Sequence, residues 1–278
     1  MKKVTILPAS NIEIINHSLT LGNIHHALFD FDGTISLIRE GWQAVMIPMM
    51  VEILMQTPLH ESQAEIEQLV KEFITRLTGK QTVYQMIQLA EEIEKRGGTA
   101  KDPLHYKHMY HDRLMTNIEH RISSLKAGKT NPQEMIVPGS FEILQNLKSR
   151  GVCCYLASGT DEVFVLEEAE LLGITGYFKG IYGAQDDYIN FSKKMIIERI
   201  IRENSLSGSE LVAFGDGYVE IEDTKAVGGI GVGVASNEAE RTGIDDWKRS
   251  RLIAAGADLI IPDFQEQDRL LDYLFEEE

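Results

Sequence analysis

Short apolar runs that alternate with amphipathic helical patterns constrain this chain more than any other feature. Residues 27–29, 152–157, 180–182, 211–214 and 230–234 read as buried strands, and a sixth, 258–261, is expected to close the chain. Most end in Gly, Asp or Ser and lead into helical periodicity, at 141–149, 162–172, 194–204 and 220–227. Strands and helices in alternation predict an α/β fold, a Rossmann-like parallel sheet covered on both faces. Ligands of such sheets sit beyond the carboxyl ends of the strands, so the loops that follow the strands are where chemistry is expected.

From Gly41 to Ala127 the alternation stops and only helical periodicity remains. Ile66, Leu69, Val70, Phe73, Ile74 and Leu77 form one stripe, ended by Gly79. Val83, Met86, Ile87, Leu89, Ala90 and Ile93 form a second, and a third helix is expected from Pro103 to about Leu125. This predicts an all-helical domain inserted after the first core strand. The expected boundaries are 1–37 and 137–278 for the α/β core and 38–136 for the helical insertion, with hinges near Ser36 to Glu40 and Gly128 to Pro138.

Charge narrows the partners. A net charge of −16 over 278 residues repels nucleic acid and anionic membranes. No apolar run approaches the roughly 18 residues a membrane span needs. The opening residues, 1–8, have lysines but no apolar stretch behind them, so a cytoplasmic protein is expected. Cys153 and Cys154 are neighbours on a strand and point to opposite faces, which disfavours a mutual disulfide. Oligomeric state is not legible.

Four strand ends carry the chemistry. The first ends in Asp30-Phe31-Asp32-Gly33-Thr34, where Asp30 and Asp32 point the same way along an extended chain. Carboxylates so close repel unless a cation or proton lies between them, and a hard divalent ion with oxygen ligands meets that need. The second ends in Gly215-Asp216-Gly217, so Asp216 would add a third carboxylate and Glu220 a contact through water. Ser158-Gly159-Thr160 offers a hydroxyl and free N–H groups at a strand end, suited to phosphoryl oxygens. Finally, Phe191-Ser192-Lys193-Lys194 puts lysine at a helix start, against the macrodipole, which a nearby carboxylate cluster or anion explains.

In this order the four segments resemble the haloacid dehalogenase superfamily of phosphohydrolases, over about residues 24–262. The resemblance implies that Asp30 is the nucleophile and Asp32 the acid and then the base. It implies Mg2+ held by Asp30, the main-chain carbonyl of Asp32 and Asp216, with Glu220 where many relatives have Asp. Ser158 and the N–H groups of Gly33, Thr34 and Gly159 would hold the phosphoryl oxygens, and Lys193 would neutralise charge. Lys194 competes for that role; Lys193 is favoured because apolar Ile197 follows it by one turn, whereas Glu198 follows Lys194.

The implied function is a phosphatase for a small phosphorylated metabolite, a sugar phosphate, phosphoglycolate or a nucleotide. Relatives that cleave carbon–halogen or carbon–phosphorus bonds lack an aspartate at the position of Asp32. A sugar phosphomutase is the alternative, since it uses both aspartates, and a catalytically silent binding protein is the reading from another class. Two places in or beside the insertion are expected to face the leaving group: Arg39 and the polar turn Thr78-Gly79-Lys80-Gln81. His105, His108, His111 and His120 share a presumed helix with no obvious partner to complete a zinc site.

Overall fold

The computed structural model describes residues 4–186 and 192–277, so Phe191 and the first three residues lie outside the described part. One eight-stranded sheet runs β1-β2-β8-β7-β6-β3-β4-β5. Its parallel body comprises β3 (His26–Phe29), β4 (Cys153–Asp161), β5 (Phe178–Ala184), β6 (Leu211–Gly215), β7 (Ile230–Val234) and β8 (Leu259–Ile261). These are the six strands read from the apolar runs. Two departures stand beside that agreement. A small antiparallel hairpin, β1 (Thr5–Ile6) with β2 (Glu13–Ile14), adds two edge strands against β8. Strands of two residues are too short to show any periodicity. The sixth core strand also does not close the chain, because α10 (Gln267–Phe275) follows it and α9 (Asp246–Ala254) precedes it.

The central strand is β3, with β4 on one side and β6 on the other. The chain leaves β3 toward β4 and β5 and returns to fill the other half, so the order reverses at β3. A crevice opens at such a reversal, beyond the strand ends. Beneath it the sheet is dry. Phe29 stacks on Phe214 with ring centroids 4.6 Å apart, and Phe264 meets both rings. The neighbouring helices are α5 (Ser140–Ser149), α6 (Glu162–Leu171), α7 (Lys193–Asn204) and α8 (Tyr218–Ala226).

Four α-helices, not three, lie between β3 and α5: α1 (Gln43–Leu54), α2 (Gln63–Leu77), α3 (Thr82–Lys95) and α4 (Pro103–Lys126). In α2, Ser62 and Glu65 close a reciprocal capping box and Ile66, Val70, Phe73 and Ile74 are buried. Asp102 caps α4 with Pro103 in its first turn. The unforeseen helix is α1. Its core, Ala44 to Met50, is apolar nearly all round and Pro48 sits inside it, so it lacks both the stripe and the propensity that mark a helix. Packing of Met46, Met49, Met50 and Leu54 into the core overrides both.

The chain enters and leaves this helical part along two strands of linker that run side by side. Leu37 N–H donates to Met135 O and Val137 N–H to Ile35 O, both at 2.9 Å, with Ser36 bridged to Ile136. Arg121 of α4 then donates to the carbonyls of Ile38 and Glu40, each at 2.9 Å. Among the described residues no helix is long and apolar enough to cross a membrane.

Candidate active site

Parallel pairing brings the ends of β3, β4 and β6 level, because Phe29 is in register with Leu156 on one side and Phe214 on the other. Asp30, Asp216 and the Ser158 to Thr160 segment therefore emerge together. The turn after β3 needs Gly33, whose φ is +75° and whose missing Cβ would lie 2.4 Å from Asp216 Oδ2. Thr34 Oγ1 accepts from Asp216 N–H at 3.0 Å and ties the two loops to each other.

Asp30 is buried, and Lys193 Nζ donates to its Oδ1 at 2.7 Å. The same ammonium also bonds Glu220, whose side chain is wholly buried. Of the two candidate lysines, Lys193 is thus the one beside Asp30, while Lys194 faces Glu198 at 4.0 Å on the exposed side of α7. Burial pushes Asp30 up to about 6; Lys193 opposes the shift, and the charges of Asp216 and Asp32 add to it. Asp32 is half-buried. Its Oδ2 accepts from Thr160 Oγ1 at 2.9 Å and Ser158 Oγ at 3.2 Å, whereas its Oδ1 is buried without a hydrogen-bond partner.

Whether these residues suit a divalent ion follows from their donors. Among the described residues no three His, Cys, Asp or Glu side chains form a ready metal cage. What is present is a pair of carboxylates, Asp30 and Asp216, close enough for one to raise the pKa of the other; the main-chain carbonyl of Asp32 is the third donor that the family resemblance implies. All are hard oxygen donors with an excess of negative charge between them, and Mg2+ fits that set. Glu220, expected as an outer ligand, is engaged by Lys193 instead; one of its oxygens, Oε2, is buried and unpaired.

Several participants were not singled out from the sequence. Arg39 was, but its partner Glu168 was not. The Arg39 guanidinium is buried, takes both oxygens of Glu168 at 2.7 to 3.2 Å and stands 4.0 Å from Asp32 Oδ1. Burial works against its charge, but Glu168 and Asp32 more than compensate and keep it protonated. Thr160, to which the sequence assigns no role of its own, donates to Asp32 Oδ2. Lys248, in the first turn of α9, is buried and lies 2.8 Å from Asp216 Oδ2. Its signal was available: it is a lysine at a helix start against the macrodipole, the anomaly that marked Lys193.

A cavity of about 100 Å³ joins these groups to the helical part; Trp42, Met46, Lys80, Gln85 and Tyr110 line it opposite Asp30, Asp32 and Gly159. The polar turn at Gly79 and Lys80 reaches it because nothing bulky intervenes: a Cβ on Gly159 would meet Lys80 O at 3.0 Å. Among the described residues the histidines of α4 belong to no cluster of three His, Cys, Asp or Glu side chains. His111 stacks on Phe164 at 4.0 Å, His120 bonds its own helix and His105 packs on Tyr106.

A sequence profile for haloacid dehalogenase-like hydrolases matches residues 24–228. The chain belongs to that family. Among solved structures it resembles a predicted phosphoglycolate phosphatase from Haemophilus somnus, at 15% identity and a TM-score of 0.60, over 89% of this chain and 98% of that one. It also resembles a β-phosphoglucomutase from Clostridium difficile, at 14% identity and a TM-score of 0.60, over 90% and 98%. A third is the CbbY protein of Rhodobacter sphaeroides in complex with xylulose 1,5-bisphosphate, at 17% identity and a TM-score of 0.56, over 87% and 96%. At such identities the likeness speaks to the fold of this haloacid dehalogenase-like chain and not to its substrate. No curated protein matches it significantly.

Proposed function

We propose that the chain is a magnesium-dependent phosphatase acting on a small phosphomonoester through an aspartyl phosphate on Asp30. The observation that carries this reading is the pairing at the end of β3: a buried carboxylate held by Lys193, two residues from a second carboxylate set by hydroxyl groups. We further take 38–136 as a cap over a core of 1–37 and 137–278, and the two unbonded cysteines as those of a cytoplasmic protein.

In the first step an Asp30 oxygen forms a bond to phosphorus while the ester P–O bond breaks, and a proton passes from Asp32 to the departing alkoxide. Thr160 and Ser158 hold Asp32 by Oδ2, which leaves Oδ1 to carry that proton. In the second step water attacks phosphorus, its proton returns to Asp32, and the bond to Asp30 breaks to release phosphate. Gly33, Thr34, Ser158 and Gly159 would cradle the phosphoryl oxygens, and Lys193 would offset charge shared by Asp30 and phosphate. Mg2+, held by Asp30, Asp216 and the carbonyl of Asp32, would supply electrostatic stabilisation of the phosphoryl charge. A cavity well below the roughly 300 Å³ of ordinary ligand sites favours a small phosphorylated metabolite as substrate.

The test is a panel of phosphate esters assayed for phosphate release with Mg2+ and after exhaustive chelation. Release that depends on the metal is expected. Hexose phosphate isomerisation primed by a bisphosphate, with little phosphate released, would make the protein a phosphomutase. No turnover of any ester would leave it a binding protein.

A further inference from the structure

Beside the four strand ends lies a buried cation, Lys248, that the mechanism does not use. Lys248 Nζ sits between two carboxylates, 2.8 Å from Asp216 Oδ2 and 2.6 Å from Glu238 Oε1. It also donates to Ser236 Oγ at 3.2 Å, and that hydroxyl donates to Gly33 O at 2.7 Å. A single side chain thus touches the loop after β6 and, through one serine, the turn after β3. Its own backbone is fixed as well, since Asp245 caps α9 by accepting from Lys248 N–H at 2.9 Å. Ser236 and Lys248 are both buried, so the network is anchored at each end.

We propose that Lys248 is a positioning residue for Asp216, one that sets how strongly the site takes a divalent cation. The inference rests on the metal reading above and goes beyond it. An ammonium on Asp216 Oδ2 leaves the other oxygen for a metal and fixes the direction it faces. It also places a positive charge beside the position a second cation would occupy, which weakens binding at equilibrium. Glu238 draws part of that ammonium charge toward itself and away from Asp216. Lys248 therefore trades metal affinity for a carboxylate held in one orientation. Without it Asp216 and Glu238 would be two half-buried carboxylates that have lost the ammonium they share, an unfavourable arrangement that a divalent ion would relieve.

Lys248 and its partner Glu238 give opposite expectations, which a merely structural role does not. With chelator-treated protein titrated calorimetrically with Mg2+ alone, Lys248→Met should bind the metal roughly tenfold more tightly than wild type. Its melting temperature should also rise more steeply on adding Mg2+. Its kcat should fall while KM for the ester changes little, because Asp216 is no longer held. Lys248→Arg keeps the charge and should return both Mg2+ affinity and kcat toward wild type. Glu238→Gln concentrates the ammonium on Asp216 and should weaken Mg2+ binding by roughly threefold or more. Lys248→Met binding Mg2+ no more tightly than wild type would overturn the proposal. Should that variant fail to fold, unchanged or tighter binding by Glu238→Gln would overturn it equally. Wild-type protein that gives no Mg2+ binding at all removes the metal reading itself, and the Lys248 inference goes with it.

Discussion

The strand ends and the helical insertion meet at one small cavity, yet they are built by opposite rules. On the sheet side the charged groups are buried or half-buried and partnered: Asp30 with Lys193, Asp216 with Lys248, Glu220 with Lys193. On the insertion side the cavity meets Trp42, Met46, Gln85, Tyr110 and the exposed Lys80. Buried ionic groups are expensive to hold and to move, so they suit a reaction that must always be performed the same way. An exposed lysine on a turn is cheap to change. The difference suggests that the sheet carries the chemistry and the insertion carries the choice of leaving group. Variants on the two sides should therefore fail differently.

The largest effect is expected at Asp30. Asp30→Asn should abolish turnover of every ester alike, measured as phosphate release, because an amide cannot serve as the nucleophile. Residual turnover above a trace with Mg2+ would break the assignment. The variant also tests the electrostatics. Burial lifts the pKa of Asp30 from the ordinary 3.8 to about 6 in the folded protein. A raised carboxylate pKa means that the contribution of Asp30 to stability is fully present below about 4 and is lost as pH climbs through about 6. In metal-free protein the melting temperature of Asp30→Asn relative to wild type should therefore rise between those limits and then level off. A difference independent of pH would show that Asp30 is not strained by its surroundings.

Asp32→Asn should come next, and it is selective where Asp30→Asn is not. The loss should be large for alkyl phosphates and smaller for p-nitrophenyl phosphate, whose leaving group needs little protonation. Equal losses on the two esters would remove Asp32 from the acid role.

The same contrast decides what the sequence could reveal. Asp30, Asp32, Asp216, Ser158 and Lys193 were legible because each stands within a few residues of a strand end or helix start, where local pattern fixes direction. Glu168 was hidden since it looks like any acidic residue of α6; only the fold brings it against Arg39. Helix α1 was hidden by Pro48 and by apolar residues on every side, and the hairpin at the sheet edge by its length. Lys248 was legible in principle but stands 32 residues beyond Asp216, with no spacing rule to join them.

Glu168→Gln probes the border between the two regions, since Arg39 belongs to the linker and Glu168 to α6. Breaking a buried ion pair costs about 3 kcal/mol when the partner charge is left behind. The melting temperature should drop by several degrees, and turnover should fall less than in Asp32→Asn. A melting temperature unchanged from wild type would mean that the pair does not hold the linker to the sheet layer.

The smallest effect, and the sharpest for the comparison, is expected at Lys80. Gly79, at φ +97°, lets the turn between α2 and α3 approach Gly217, with a Cβ there only 3.4 Å from the Gly217 Cα. The same turn lies against Gly159, so it touches the end of β4 and the loop after β6. Lys80 lines the cavity and its ammonium stands 5.7 Å from the ring of Tyr84, a weak hold on an exposed side chain. Such a lysine is free to reach an anionic or polar group on the part of the ester that leaves. Lys80→Ala should therefore lower kcat/KM for the natural substrate by roughly tenfold, about 1.4 kcal/mol of transition-state binding. Hydrolysis of a small aryl phosphate, which does not extend to the turn, should scarcely change. Stability should not change either, because an exposed lysine contributes little to it. A loss of the same size on both esters would move Lys80 to the chemistry of the sheet side, and no loss on either would leave it as surface.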